Sequence, residues 1–220
     1  MSSHHIVRDD QEPALIIANG ESCSRELLDQ LLEWNPLVIV LDSAMNRVIE
    51  LGIKVDVLIG DFDRNFDANS YKDAQYPIEI VHVKDQESTD LEKAFRYLIK
   101  RKIPMVNVVW ATGRRMDHTL ANITCLPKYQ NDLKIVILDD YSKIFLLPKE
   151  YKKWYPKDTI ISLIPIGTVE NISTQLLTYP LNNESLVLGE RIGSSNSTSQ
   201  DGIVEINHKN GHLLLMECWD

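Results

Sequence analysis

Along the first 150 residues, short continuous apolar runs alternate with stretches whose apolar positions recur every three or four residues. The runs at 14–18, 37–41, 55–59, 78–83, 105–111 and 133–138 predict strands, that at 55–59 covered on both faces. Between them, Leu27, Leu28, Leu31 and Leu32, then Met45, Val48 and Ile49, then Leu91, Ala94, Phe95, Leu98 and Ile99 carry the helical period. Thr89 with Glu92 three residues later is a capping box, so the third helix should begin near Asp90. A fourth helical pattern follows Asp117 and puts His118 and Asn122 on one face. Strand and helix in alternation, interrupted only by a loop between the third and fourth strands, predict an α/β unit, a mostly parallel Rossmann-like sheet with helices on its faces.

Beyond Pro148 no amphipathic helix is evident. Residues 151–156 read as a connector, and 160–164, 185–188, 203–206 and 213–216 read as short strands, with Lys209-Asn210-Gly211 as a hairpin turn that also separates His208 from His212. The polar run 193–199 reads, by composition alone, as a flexible loop. The expected organisation is therefore an α/β domain over 1–150 and a small all-β sandwich over 151–220. So short a β domain buries little apolar surface and needs a partner surface.

The 220 residues are 44% hydrophobic and 25% charged, and the formal net charge of -9 argues against nucleic-acid binding. Apolar runs fall well short of the ~20 residues of a membrane span, so no membrane partner is expected. The polar first ten residues do not resemble a signal sequence, and Cys23, Cys125 and Cys218 lack metal-site spacing, which fits a cytoplasmic protein with reduced thiols.

Candidate chemistry collects at the carboxyl ends of the predicted strands, where open α/β sheets bind ligands. Asp42 follows the second strand, and Asp61 and Asp63 the third, where Gly60 permits a sharp exit. Asp85 and Asp90 follow the fourth, and Asp117 comes after the run that finishes in Gly113. Carboxylates gathered on one edge repel unless a cation lies among them, and Mg2+ suits oxygen donors. Lys93, Arg114, Arg115 and His118 share the edge and would hold an anionic phosphate chain. Neither a Walker-type loop nor a dinucleotide fingerprint is present.

Three segments, in order, resemble the motifs of the thiamine pyrophosphokinases. Gly60-Asp61-Phe62-Asp63 is similar to G-D-F-D-S, and Asp85-Gln86-Glu87-Ser88-Thr89-Asp90 with Lys93-Ala94 to D-Q-D-S-T-D-x-x-K-A. Gly113-Arg114-Arg115-Met116-Asp117-His118 with Leu120 and Asn122 resembles G-G-R-x-D-H-x-L-x-N. Asp42 and Asn46 remain where the family has A-D-G-G-A-N, although Ser43 and Ala44 replace its glycines, and Arg64 stands where the family has Ser. Ser162–Gly167, Leu177–Leu181 and Gly193–Asn196 resemble stretches of the family's β domain.

The resemblance implies transfer of pyrophosphate from ATP to the hydroxyethyl group of thiamine, giving thiamine diphosphate and AMP. It implies Mg2+ on Asp61, Asp63 and Asp90, with Asp85 and Asp42 as further candidates. Arg114 would meet the polyphosphate, Gln86 and Thr89 would orient oxygens, and Asn46, Lys93, His118 and Asn122 would complete the nucleotide side. Asp117, or alternatively His118, would accept the hydroxyl proton. Ser195 and Asn196 would contact thiamine across a homodimer interface. The alternatives are another Mg2+-dependent small-molecule kinase or diphosphokinase, and a non-catalytic thiamine- or nucleotide-binding protein of the same fold.

Overall fold

A computed structural model describes residues 13–62 and 67–219. The chain divides into two compact units, Met1–Asp140 and Tyr141–Asp220.

In the first unit the apolar runs are strands: β1 Ala14–Ile17, β2 Leu37–Leu41, β3 Val57–Gly60, β4 Glu79–His82, β5 Met105–Val109 and β6 Lys134–Leu138. All pair in parallel, in the order β4-β3-β2-β1-β5-β6. The reason the central runs show no alternation is visible in their burial, because Ala14 to Ile17 and Val57 to Ile59 are covered on both faces. The helices are α1 Arg25–Leu32, α2 Met45–Glu50, α3 Asp90–Lys100, α4 Met116–Thr124 and α5 Leu126–Tyr129. Ser24 caps α1, its side chain accepting from Leu27 N–H, and α3 begins at Asp90 with the expected capping box. Leu91, Ala94, Phe95 and Leu98 form its buried stripe.

The strand order reverses direction between β1 and β5, since β2, β3 and β4 continue to one side of β1 and β5 and β6 lie on the other. Loops leaving β1 and β5 diverge at such a switch point and open a crevice at the carboxyl edge. Here the two loops first run together: Ala18 N–H donates to Val109 O at 3.0 Å, Gly20 N–H to Trp110 O at 2.5 Å and Glu21 N–H to Thr112 O at 2.7 Å. Gly20 is required by that approach, as a Cβ there would lie 2.2 Å from Thr112 O.

The second unit is an antiparallel β region: β7 Ser142–Leu146, β8 Glu150–Tyr155, β9 Ile160–Gln175, β10 Asn182–Val187, β11 Gly193–Ser197, β12 Gly202–Asn207 and β13 Asn210–Cys218. The 16-residue β9 is its spine, pairing with β10, β11, β12 and β13 along different parts of its length. Ile161, Leu163, Val169 and Ile172 of β9 pack with Leu186, Val204, Ile206, Leu213 and Leu215 in one core.

Three local expectations change. The expected connector at 151–156 lies largely within β8, which pairs antiparallel with β12. The Ser-rich run is largely β11, laid against the start of β9. Lys209-Asn210-Gly211 does not turn a hairpin: β12 pairs with β8 and the end of β9, whereas β13 pairs with β7 and the earlier part of β9. Gly211, at φ 81°, is a bulge where a Cβ would lie 2.1 Å from Thr168 O.

Candidate active site

A cavity of about 510 Å3 opens at the carboxyl edge of the parallel sheet, a volume in the range of small-ligand sites. Ala18, Asn19 and Gly20 after β1, and Ala111, Gly113 and Arg114 after β5, line it from the switch point. Leu41, Asp42 and Ser43 enter from the end of β2, Asp61 from the end of β3, and Gln86, Ser88, Thr89, Asp90 and Lys93 from the loop and first turn before and in α3. Arg115, just before α4, and His118 and Asn122 within it complete the lining.

Three of the predicted carboxylates meet in this cavity. Asp42 is buried, its Oδ1 accepting from Ser43 N–H at 2.5 Å and its Oδ2 from Phe62 N–H at 3.1 Å. Burial, and after it the nearby charge of Asp90, pushes its pKa up, with Asp61 adding to the rise and the two N–H donors opposing it. Gly60 belongs to β3 and does not form the sharp exit expected of it. The glycine is needed instead because a Cβ would fall 2.1 Å from Asp42 Oδ2. Phe62, at φ 50°, takes the left-handed turn itself.

Lys93 supplies the local counter-charge. Its Nζ lies 2.8 Å from Asp90 Oδ1 and 3.9 Å from Asp61 Oδ2, and its side chain is almost fully buried. Gln86 Nε2 donates to Asp61 Oδ2 at 3.1 Å. Asn122 holds the β5 loop, donating through Nδ2 to Ala111 O at 2.9 Å. Arg114, at φ 51° after Gly113 at φ 72°, turns its NH1 onto Asn19 Oδ1 at 3.2 Å.

Other predicted residues stand beside the cavity. Asp85 accepts from Ser88 Oγ at 2.6 Å, Glu87 N–H at 2.9 Å and Arg96 at 2.8 Å, and these partners, the Ser88 hydroxyl foremost, hold its pKa down to about 2. Asn46 accepts from the Tyr71 hydroxyl. Asp117 lies in the first turn of α4, with Arg115 in the capping position, so it is not the helix cap. Arg115 Nε donates to its Oδ1 at 3.1 Å and holds its pKa down to about 2. Asp63 and Arg64 lie outside the described residues. Among the described residues, no three His, Cys, Asp or Glu side chains are grouped closely enough to hold a metal ion.

Sequence reasoning passed over Asn19, Gly20 and Arg47. Asn19-Gly20 reads as a turn in the sequence and Arg47 belongs to none of the quoted motifs; the pairing of β1 with β5, with Arg47 reaching in from α2, brings them together with Arg114.

In the second unit, Asn196 is buried, with Oδ1 accepting from Tyr179 N–H at 3.0 Å and Ser197 N–H at 2.9 Å, and Nδ2 donating to Tyr179 O at 2.8 Å. It fixes the exposed Tyr179 turn against β11. Ser195 is exposed at φ 54°, its N–H donating to Ser162 Oγ at 2.9 Å.

A parallel sheet with a cavity at its switch point, lined by carboxylates and cations, followed by an antiparallel β unit, defines a two-unit α/β class of protein. Models for the thiamin pyrophosphokinase catalytic domain and vitamin B1 binding domain match residues 28–137 and 146–213, and the chain belongs to the thiamin pyrophosphokinase family. Its activity is accordingly that of a thiamine diphosphokinase, in a family that uses ATP. Thiamine pyrophosphokinase 1 of Oryza sativa subsp. japonica is 31% identical over 169 residues, which is 70% of this chain and 63% of that protein. Thiamine pyrophosphokinase of Bacillus subtilis is 28% identical over 193 residues, 82% of this chain and 87% of that one. A crystal structure of thiamine pyrophosphokinase from Bacillus subtilis matches with a TM-score of 0.77 at 24% identity, over 94% of this chain and 99% of the other; at that identity the likeness is one of fold. No helix among the described residues is long and apolar enough to cross a membrane.

Proposed function

We propose that the first unit binds ATP with Mg2+ and the second binds thiamine, and that the hydroxyethyl oxygen of thiamine attacks the β-phosphorus of ATP. The bond from that phosphorus to the α–β bridging oxygen breaks, the oxygen leaves with AMP, and thiamine diphosphate forms. The observation that carries this reading is the convergence of Asp42, Asp61 and Asp90 with Lys93 and Arg114 in one cavity at the switch point.

The residues fit Mg2+. Their donors are carboxylate oxygens, and Asp42 is raised in pKa by burial first and by the charges of Asp90 and Asp61 after it, an environment whose ionised form a bound cation would favour. Mg2+ commonly takes one or two carboxylates and completes its shell with water and substrate phosphates, so a ready-made cage of three is not required. Asp61 and Asp90 would hold it, with Asp63 beside Asp61 in sequence and Asp42 and Asp85 behind them. Bound there, it would neutralise phosphate charge and favour departure of AMP.

The chain's own groups align and balance the reactants. Arg114 and Lys93 meet the phosphates, and Gln86 and Thr89 orient oxygens, while Asn46 and Asn122 support the surrounding loops. His118 lines the cavity and is the better placed acceptor of the thiamine proton, because the Asp117 carboxylate is engaged by Arg115. Ser195 and Asn196 present the thiamine side. A homodimer is part of this reading, supported by exposed Trp154 and Ile203, cross-strand neighbours on β8 and β12. So is a reducing, cytoplasmic setting, in keeping with three free cysteines.

The test is incubation of pure protein with thiamine, ATP and Mg2+, following AMP and thiamine diphosphate together, with Asp61→Asn alongside. Equal amounts of both products are expected from the wild type, and a turnover lower by roughly a hundredfold or more from the variant. ADP as the nucleotide product would point to transfer of the γ-phosphoryl group alone, to thiamine or to water. Thiamine binding without turnover would point to a binding protein.

A further inference from the structure

Arg47 of α2 is absent from the cavity wall, yet it is bonded to the parts of the wall that Arg114 also touches. Its NH1 donates to Asn19 Oδ1 at 3.1 Å and Gly20 O at 2.9 Å, and its NH2 donates to Ser22 Oγ. The guanidinium lies over the Trp110 ring, 4.4 Å from its centroid. Trp110 is almost wholly buried at φ 57°, a costly backbone state for a bulky residue, at the point where β5 gives way to the loop that carries Arg114. From the other side, Arg114 NH1 reaches the same Asn19 oxygen at 3.2 Å and Asn19 O at 3.4 Å. One carboxamide oxygen therefore bridges two guanidiniums, one behind the wall and one exposed in the cavity lining.

We infer that Arg47 is a positioning residue for the polyphosphate: through Asn19 and Trp110 it sets where the Arg114 guanidinium stands. The inference rests on the proposed ATP site and extends it to a residue that does not itself touch nucleotide. A planar guanidinium is needed for the task, because Gly20 O, Asn19 Oδ1, Ser22 Oγ and the indole face must all be met from one rigid fork. Two like charges sharing one acceptor repel each other, and an anion beside Arg114 offsets that repulsion. Burial, followed by the proximity of Arg114, lowers the Arg47 pKa, in keeping with this crowding.

The arrangement separates nucleotide from alcohol. Arg47→Ala should raise the KM for ATP by roughly tenfold, the scale of a lost charge-assisted hydrogen bond, with the KM for thiamine within about twofold of wild type. Arg47→Lys keeps the charge and the stem over Trp110 but loses the fork, and should be nearly as impaired towards ATP while melting close to the wild-type temperature. The deciding measurement is the double-variant cycle with Arg114→Ala. If Arg47 acts through Arg114, adding Arg47→Ala to Arg114→Ala changes the KM for ATP by less than about twofold. A full tenfold loss in both backgrounds, or equal losses towards ATP and thiamine, overturns the inference. Should Arg47→Ala fail to fold, the same cycle is run with Arg47→Lys. Wild-type AMP and thiamine diphosphate formation in the same assay tests the underlying function separately.

Discussion

Asp42 and Gly60 show how narrowly one residue position can be set. The Asp42 carboxylate occupies the space that any side chain at Gly60 would fill, and it is held there by the Phe62 and Ser43 N–H groups. Gly60→Ala should destabilise the protein by about 1–3 kcal/mol, the usual range for overpacking, and weaken ATP use because Asp42 must swing away. Combining it with Asp42→Gly removes the carboxylate and also its Cβ, which would lie 2.7 Å from the new methyl group, so the double variant should be more stable than the sum of the single losses allows. Denaturant unfolding of the three variants decides the matter; strictly additive losses would refute the contact. The sequence marked both residues but assigned the glycine to a sharp turn. A requirement for close approach by a residue 18 positions earlier cannot be read from local spacing, whereas the row of strand-end aspartates could be, since strand direction alone puts them on one edge.

At the scale of elements, α3 ties the site to the fold. Thr89 Oγ1 accepts from Glu92 N–H at 3.2 Å, and Glu92 Oε2 accepts from Thr89 N–H at 3.2 Å. The other oxygen of Glu92 accepts from Lys128 Nζ at 2.7 Å and the Tyr129 hydroxyl at 2.9 Å, joining α3 to α5. Thr89→Ala should cost about 1 kcal/mol in unfolding free energy, while Thr89→Ser, which keeps the hydroxyl, should cost less than half of that. Equal losses from both variants would show that the methyl group, not the cap, matters. This helix was legible in outline because capping box and apolar stripe agree. So were the strands of the parallel sheet, whose boundaries moved by only a residue or two. Legibility fell in the second unit. β8 alternates Tyr, Lys and Trp residues in a pattern easily taken for a linker, and β11 is built of Gly, Ser and Asn. Their strand character comes from ladders to β12 and β9, contacts distant in sequence. Likewise, Asn210-Gly211 resembles a hairpin turn locally, but the strands on either side do not pair with each other: they pair with different parts of β9 and, on their other sides, with β8 and β7.

At the scale of the whole molecule, ionisation sets the conditions under which the chain stays folded. Most charges lie at the surface, where pairing contributes little. His208 differs: it is 4% exposed, Nε2 is buried without a hydrogen-bond partner, and Nδ1 lies 3.5 Å from Lys149 Nζ. Burial first, and then the Lys149 charge, lowers its pKa below the ordinary 6.5. The unfolded chain therefore takes up a proton near pH 6.5 that the folded chain refuses until a lower pH. Stability from this group is present above pH 6.5 and is lost as the pH falls from there towards the folded pKa, at a limiting rate of about 1.4 kcal/mol per pH unit. His208→Gln removes the difference in proton uptake. Even if the substitution costs stability at neutral pH, its unfolding free energy should fall less steeply between about pH 6.5 and pH 5 than that of the wild type, by up to one proton in the slope. Parallel slopes for the two proteins would mean that His208 binds its proton equally well in both states, and that the acid sensitivity arises elsewhere.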